Sequence, residues 1–369
     1  MIKYLGSKRA LIPLITEVIG ALSPPCRVLD LFSGTARVGH ALKARGYAVT
    51  GNDHNTYAEA LATCYVQADA EAHADRATAI LRELATVPGA PGWFTDTYCV
   101  QSRYFQPHNG ARIEAIRDAI ERMALDPDLR AVLIVALMEA ADRVDSTVGV
   151  QMAYLKQWAP RATRDLELRT PRLLPRAAAG PGRALRREAI DAAGEPADVC
   201  YIDPPYNQHK YLGNYHVWET LVRWDHPDVY GAARKRIDCR ERRSAFNAKG
   251  RATAALAEVV AAVRAPHLVV SFNDEGYVAR DALEGMLRPR GELTVFEVDF
   301  PRYVGARIGL HNPRGERVGS VGRLRNTELL YVVTPDAESA RRLRALPCAN
   351  RGILRACGSS SRSPATKTT

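Results

Sequence analysis

The sequence predicts an α/β fold built on a mainly parallel sheet, and three observations carry that expectation. Between Arg27 and Asp53 the chain reads strand, helix, strand. Four further apolar strand-like runs follow after residue 197, and 46% of the 369 residues are hydrophobic against 25% charged. That composition excludes a disordered chain, and the absence of an 18-residue apolar run excludes a helical membrane protein. The length suits one large or two ordinary domains.

Taken in order, Arg27 to Phe32 is a short apolar run between Pro24-Pro25 and Ser33-Gly34, which reads as a buried strand. Ala36 to Arg45 places Val38, Ala41 and Leu42 at helical spacing and stops at Gly46. Tyr47 to Gly51 is a second strand, closed by Asn52-Asp53. Such a unit implies a right-handed parallel crossover. Helical patterns follow at 55–86, 111–124 and 129–143, the last apolar nearly all round and so predicted to lie in the core. Residues 145–190 show no clear period and several prolines, and read as a loop-rich insertion. Parallel strands are expected at Asp198 to Asp203, His267 to Phe272, Leu293 to Phe300 and Glu328 to Val333. The polar stretch after about 358 reads as a disordered tail.

The formal charge of +10 is local. Segments 151–190, 234–251 and 301–326 carry +6, +6 and +5, so the remaining residues sum to −7. Clustered cations suggest a polyanion, since phosphate neutralisation with counterion release drives much of nucleic-acid binding. Solvated loops are the alternative. Arginine outnumbers lysine 43 to 8, a bias that suits phosphate and guanine but also accompanies GC-rich coding. The seven cysteines (Cys26, Cys64, Cys99, Cys200, Cys239, Cys348, Cys357) form no C-x-x-C pair, so reduced thiols and no metal site are expected. The N-terminus lacks a signal-type apolar stretch, and a cytoplasmic protein is expected.

Asp203-Pro204-Pro205-Tyr206 directly follows a predicted strand. A given tetrapeptide arises by chance in roughly a few per thousand chains of this length. Its chemistry is specific. A carboxylate and a proline-fixed carbonyl present two acceptors to the two N–H bonds of an exocyclic amine, and a tyrosine ring offers a stacking face to an unstacked base. A strand-end turn is the bland alternative. Asp30-Leu31-Phe32-Ser33-Gly34-Thr35 leads from strand to helix through a glycine turn of the kind that cradles cofactors, but it lacks G-x-G-x-x-G, which disfavours a dinucleotide site. Asp53, closing the next strand, is placed for a ribose diol or, equally, as a helix cap.

With these residues in view, the chain resembles the Dam-like adenine-specific DNA methyltransferases. The resemblance runs through Lys3-Tyr4-Leu5-Gly6-Ser7-Lys8, the D-L-F-S-G turn, Asn52-Asp53, D-P-P-Y-N and Tyr215-His216-x-x-Glu219-Thr220. It continues with Ser271-Phe272-Asn273-Asp274-Glu275-Gly276, Arg302-Tyr303 and Asn326-Thr327-Glu328-Leu329-Leu330-Tyr331. It implies a Rossmann-like S-adenosylmethionine-dependent fold with an inserted recognition region. The expected layout is a cofactor half at 1–90, a helical and loop-rich recognition region at 91–190, a catalytic half at 191–335 and a basic, disordered tail at 336–369. The implied activity is methyl transfer to the N6 amine of a flipped adenine in duplex DNA.

By the same resemblance, Tyr4, Lys8, Phe32, Ser33, Gly34, Asp53 and Asp203 are expected at S-adenosylmethionine, with Lys8 on its methionine carboxylate. Asp203, Pro204 and Tyr206 are expected to be catalytic. The family usually shows an Asp near the cofactor adenine; here Arg187-Glu188-Ala189 leaves Glu188 as the candidate. Lys156, Arg234, Lys235, Arg236, Arg302 and Arg307 are the expected DNA contacts, and Arg302 to Arg325 reads as a hairpin reaching backbone or as an ordinary edge hairpin. The partner implied is double-stranded DNA, in a nucleoid setting, with room for a separately encoded restriction endonuclease. Rival readings are an RNA-adenine or cytosine-N4 methyltransferase, a catalytically silent DNA-binding module, and, disfavoured by its missing fingerprint, a nicotinamide-dependent dehydrogenase.

Overall fold

A computed structural model of the chain describes residues 1–274, 276–301, 325–346 and 353–354. Ten strands are described: β1 Arg27–Asp30, β2 Ala48–Asn52, β3 Arg183–Leu185, β4 Val199–Ile202, β5 Val229–Tyr230, β6 Lys235–Arg236, β7 His267–Asn273, β8 Glu292–Pro301, β9 Arg325–Thr334 and β10 Ile353–Leu354. Eight of them form one sheet in the order β10-β8-β9-β7-β4-β1-β2-β3, while β5 and β6 make a separate antiparallel ribbon.

The strands β3, β2, β1, β4 and β7 run parallel, in registers such as Val28 beside Val49 and Val199. Parallel strands covered on both faces are apolar throughout, and all four residues of β4 are buried. The pleat then sends alternate residues to two cores. Val28, Val199, Tyr201 and Val269 join the first, with the helices Ile12–Leu22, Pro107–Arg122 and Pro127–Arg143. Leu29, Cys200, Ile202, Leu268 and Val270 join the second, with helices Ala252–Ala262 and Arg280–Leu287. The result is a three-layer, Rossmann-like α/β architecture. Helix Pro127–Arg143, capped by Asp126 accepting from Leu129 N, is buried along nearly its whole length as its composition predicts.

Five expectations change. Strand β9 is antiparallel to both β7 and β8, not parallel; apolar alternation reports a strand but not its direction. Strand β3 lies inside the segment read as loop, because three residues are too few to show a period. The helix expected over 55–86 breaks into Thr56–Ala62 and Ala70–Ala85. The break is a widened turn in which Ala68 N donates to Thr63 O, fixed from outside by the buried Lys43 ammonium on Ala68 O and Asp69 at 2.8 Å. The β5/β6 ribbon sets its second strand in the second basic segment, where charge hid it, and the start of the tail expected at 336–369 is instead helix Ala337–Arg344, capped by Asp336 and anchored by the buried Leu343. The five described cysteines are free. Among the described residues no helix is long and apolar enough to cross a membrane. The expected hairpin at 302–325 falls almost wholly outside the described residues, and the tail after 358 does so entirely.

Candidate active site

Strand order reverses between β1 and β4, and in open α/β sheets ligands bind at the carboxyl edge of such a switch point. A cleft of about 910 Å³, counting its open mouth, lies there. Tyr4, Lys8, Phe32, Ser33, Gly34, Asp53, Glu188 and Asp203 all line it, although they span nearly 200 residues of sequence.

The turn after β1 is held by its neighbour strand. Ser33 N donates to Asn52 O at 2.8 Å, and Gly34 N donates to Asp53 Oδ2 at 3.2 Å. Gly34 sits at φ +50°, and a Cβ there would meet the Tyr4 ring at 3.4 Å, so glycine suits both the backbone and the ring. Asp53 Oδ1 accepts from Asn55 N at 2.9 Å and so closes a turn ahead of helix Thr56–Ala62, whose N-cap is Asn55; the expected helix-cap role falls to that neighbour. Tyr4 stacks with Tyr211 and Tyr215 at ring centroid distances of 5.2 and 4.6 Å, and its hydroxyl lies 3.2 Å from Tyr57 Oη.

Asp203 stands one residue past β4. The Lys8 ammonium is 3.2 Å from Asp203 Oδ1 and 3.2 Å from Glu328 Oε2 on β9. The resemblance assigns Lys8 to a cofactor carboxylate; here two protein carboxylates already hold it. Burial opposes the charge on Lys8, but Asp203 and Glu328 outweigh it and keep its pKa well above the ordinary range. Burial pushes Asp203 up to about 6, with Lys8 pulling down and Glu328 pushing up. Pro204 is buried, and Tyr206 packs edge-on against Phe272 with Lys8 Nζ 5.5 Å from its ring centroid.

Sequence reasoning quoted Asp30 within a motif but gave it no role. Its carboxyl is buried on the cleft; burial first, then Asp203 and Asp53, push its pKa up to about 8, against a smaller pull down from the Gly39 backbone N–H. Ser33 Oγ and Asn55 Oδ1 are orphaned beside it. Glu188 is 3.6 Å from His54 Nδ1, whose hydrogen bond holds the carboxyl below its usual range.

The expected DNA contacts fare unevenly. Arg236 is 1% exposed and forks onto Asp225 at 2.6 and 2.8 Å, with Asp238 at 3.1 Å. It holds the ribbon to the end of helix His216–Arg223, so its expected DNA role is corrected to a structural one. Arg234 and Lys235 are half-buried beside it, and Lys156 is exposed. Arg302 and Arg307 lie outside the described residues. His216 and Trp218 are buried core residues, as their helical position suggested. Among the described residues no group of three or more His, Cys, Asp or Glu side chains is arranged to hold a metal ion.

Sheet order, glycine turn and cleft together define a Rossmann-like S-adenosylmethionine-dependent methyltransferase fold. The chain belongs to the D12 class N6 adenine-specific DNA methyltransferase family, whose model matches residues 4–264. It is 27% identical over 326 residues to modification methylase StsI of Streptococcus sanguinis, covering 83% of this chain and 49% of that protein. It is 28% identical over 327 residues to type II methyltransferase M.FokI of Planomicrobium okeanokoites, covering 82% and 49%. With type II methyltransferase M.NlaIII of Neisseria lactamica it shares 26% over 314 residues, 81% of this chain and 92% of that one. The chain thus spans about half the length of the first two relatives.

Proposed function

We propose that this chain transfers a methyl group from S-adenosylmethionine to the N6 amine of an adenine flipped out of a specific duplex DNA sequence. One observation carries the reading: the Asp203 carboxylate, first residue of the D-P-P-Y run, stands at the switch-point edge on a cleft that also holds Asp53 and the Phe32-Ser33-Gly34 turn. Asp53 and Asp203 give the cleft carboxylates that fit a cationic ligand. Asp53 lies where a ribose diol would bind, and Phe32 with Glu188 frames an adenine-sized end. Likeness to type II modification methylases supports a restriction–modification setting, in which a cognate endonuclease would be encoded separately.

When bound, S-adenosylmethionine supplies a sulfonium methyl that is already electrophilic. The protein's work is alignment and charge. Adenine's amine is a poor nucleophile because its lone pair is delocalised into the ring. Hydrogen bonds from its two N–H groups to Asp203 Oδ and Pro204 O favour a pyramidal, more reactive nitrogen, and the carboxylate offsets positive charge as the N–C bond forms. Asp203 Oδ then takes the proton that the methylated nitrogen releases. Tyr206 stacks on the base, whose extraction costs a few kcal/mol.

Asp203→Ala is expected to keep DNA binding while methyl transfer falls about a hundredfold to a thousandfold. Full activity in that variant overturns the mechanism. Asp203 must be ionised to accept, and its pKa is raised by burial to about 6, so the rate holds above that value and falls as pH drops through it. Digesting DNA and RNA exposed to the enzyme and identifying the modified nucleoside tests the substrate. N6-methyldeoxyadenosine supports the reading; N4-methyldeoxycytidine or a methylated ribonucleoside replaces it. Sequencing DNA from cells expressing the chain maps the recognition site.

A further inference from the structure

The second basic segment does more than carry charge. Past the β5/β6 ribbon, Arg242 Nη2 donates to the His54 carbonyl at 2.8 Å, just beyond β2. Ser244 Oγ then accepts from Phe246 N at 3.3 Å and turns the chain inward. Phe246 sets its ring edge-on against Phe32, with centroids 5.2 Å apart and planes at 83°. The next residue faces the other substrate. The Asn247 amide donates to Asn207 O at 2.7 Å and to His209 O at 3.1 Å, bracing the backbone directly after the catalytic tetrapeptide. Ser244, Phe246 and Asn247 all line the cleft. Six residues are therefore fixed at three points: the end of β2, the cofactor turn and the loop beyond Tyr206.

We propose that residues 242–247 form a strap shared by both substrate sites, in which Phe246 binds the cofactor's adenine end and Asn247 is a positioning residue that ties this contact to the target-base loop. The proposal rests on the methyltransferase reading above. Phe246 belongs to the apolar group around Phe32 and is only partly buried, so a planar heterocycle entering beside Glu188 finds an aromatic edge there. A ligand that covers Phe246 immobilises the strap. Through the two Asn247 hydrogen bonds it also immobilises residues 207–209, which removes part of the ordering cost before DNA arrives. Linkage makes the effect reciprocal: duplex DNA must tighten cofactor binding by the same factor.

Calorimetric titration of S-adenosylhomocysteine into the full chain, with and without a duplex carrying the mapped site, tests this. Phe246→Ala is expected to weaken DNA-free binding about tenfold, the scale of one lost aromatic contact. Asn247→Ala is expected to weaken it less, and to abolish the tightening that the duplex gives the wild-type protein. Phe246→Leu and Asn247→Ser, the latter too short to span both carbonyls, carry the same test if an alanine variant loses cooperative unfolding. Wild-type affinity in the Phe246 variants, no tightening by the duplex in the wild-type protein, or full tightening in the Asn247 variants overturns the strap. A wild-type chain that binds no S-adenosylhomocysteine overturns the methyltransferase reading instead.

Discussion

In segment 151–190 five arginines meet carboxylates brought from elsewhere, while Arg164 and Arg172 are exposed without an ion pair among the described residues: Arg161 pairs with Asp145 at 2.8 Å, Arg176 with Asp69 at 3.8 Å and Arg186 with Glu59 at 3.5 Å, and Arg183 and Arg187 share Glu195. Segment 234–251, with the same formal charge of +6, divides its cations by role. Arg236 is buried, Arg240 lies 3.9 Å over the Tyr230 ring, and Arg242 reaches Glu219 and the His54 carbonyl. Arg243, Lys249 and Arg251 are exposed and form no ion pair among the described residues, and they flank the strap beside the cleft mouth. Equal charge therefore does not mean equal reach. A guanidinium already forked onto a carboxylate releases few counterions on meeting a phosphate, so the free cations of the second segment are the better site for the duplex.

The contrast breaks most sharply at Arg236. Arg236→Met leaves Asp225 and Asp238 with Arg223 as their remaining shared cation, and should cost about 3 kcal/mol in urea or guanidinium unfolding, near the lower end for a broken buried pair because both aspartates keep that partner and some solvent. A loss below 1 kcal/mol would return Arg236 to the surface group. Next, replacing Arg243, Lys249 and Arg251 together with glutamine should lower DNA affinity about tenfold or more and flatten the slope of log K against log salt by about 3. An unchanged slope would remove this segment from the interface. The smallest effect belongs to the first segment. Arg183→Gln with Arg187→Gln should change stability by less than about 1 kcal/mol, as exposed pairs do, and leave the salt slope at its wild-type value. A slope reduced by about 2 would show that these pairs open to receive phosphate.

The parts of the site legible in the sequence are those whose chemistry is local. D-P-P-Y after an apolar strand and D-L-F-S-G before a helix each state strand end, turn and functional group within six residues, and Asp203 and Pro205 of the first share a cleft with the second. Asp30 was visible but unassigned, because a strand's last residue shows its burial only once the helix behind it is placed. The parallel direction expected of β9 failed for a related reason: strand direction depends on which neighbours it finds, and β9 finds β7 and β8. Phe246 and Asn247 sat inside a run dominated by basic residues, and nothing in their spacing pointed to Phe32 or to the carbonyls of Asn207 and His209.

By itself the sequence determined the α/β class, the order of the D-L-F-S-G turn and the D-P-P-Y strand end, and the groups proposed to face an exocyclic amine, since each follows from side-chain chemistry and short-range backbone preference. The tertiary structure decided which charges are free. It set Lys8 between Asp203 and Glu328, the latter 320 residues away, turned Arg236 inward, and drew residues 242–247 across the cleft. The physical reason is common to all three. A charge's effect depends on its burial and its partner, and both are supplied by segments that meet only when the sheet is assembled.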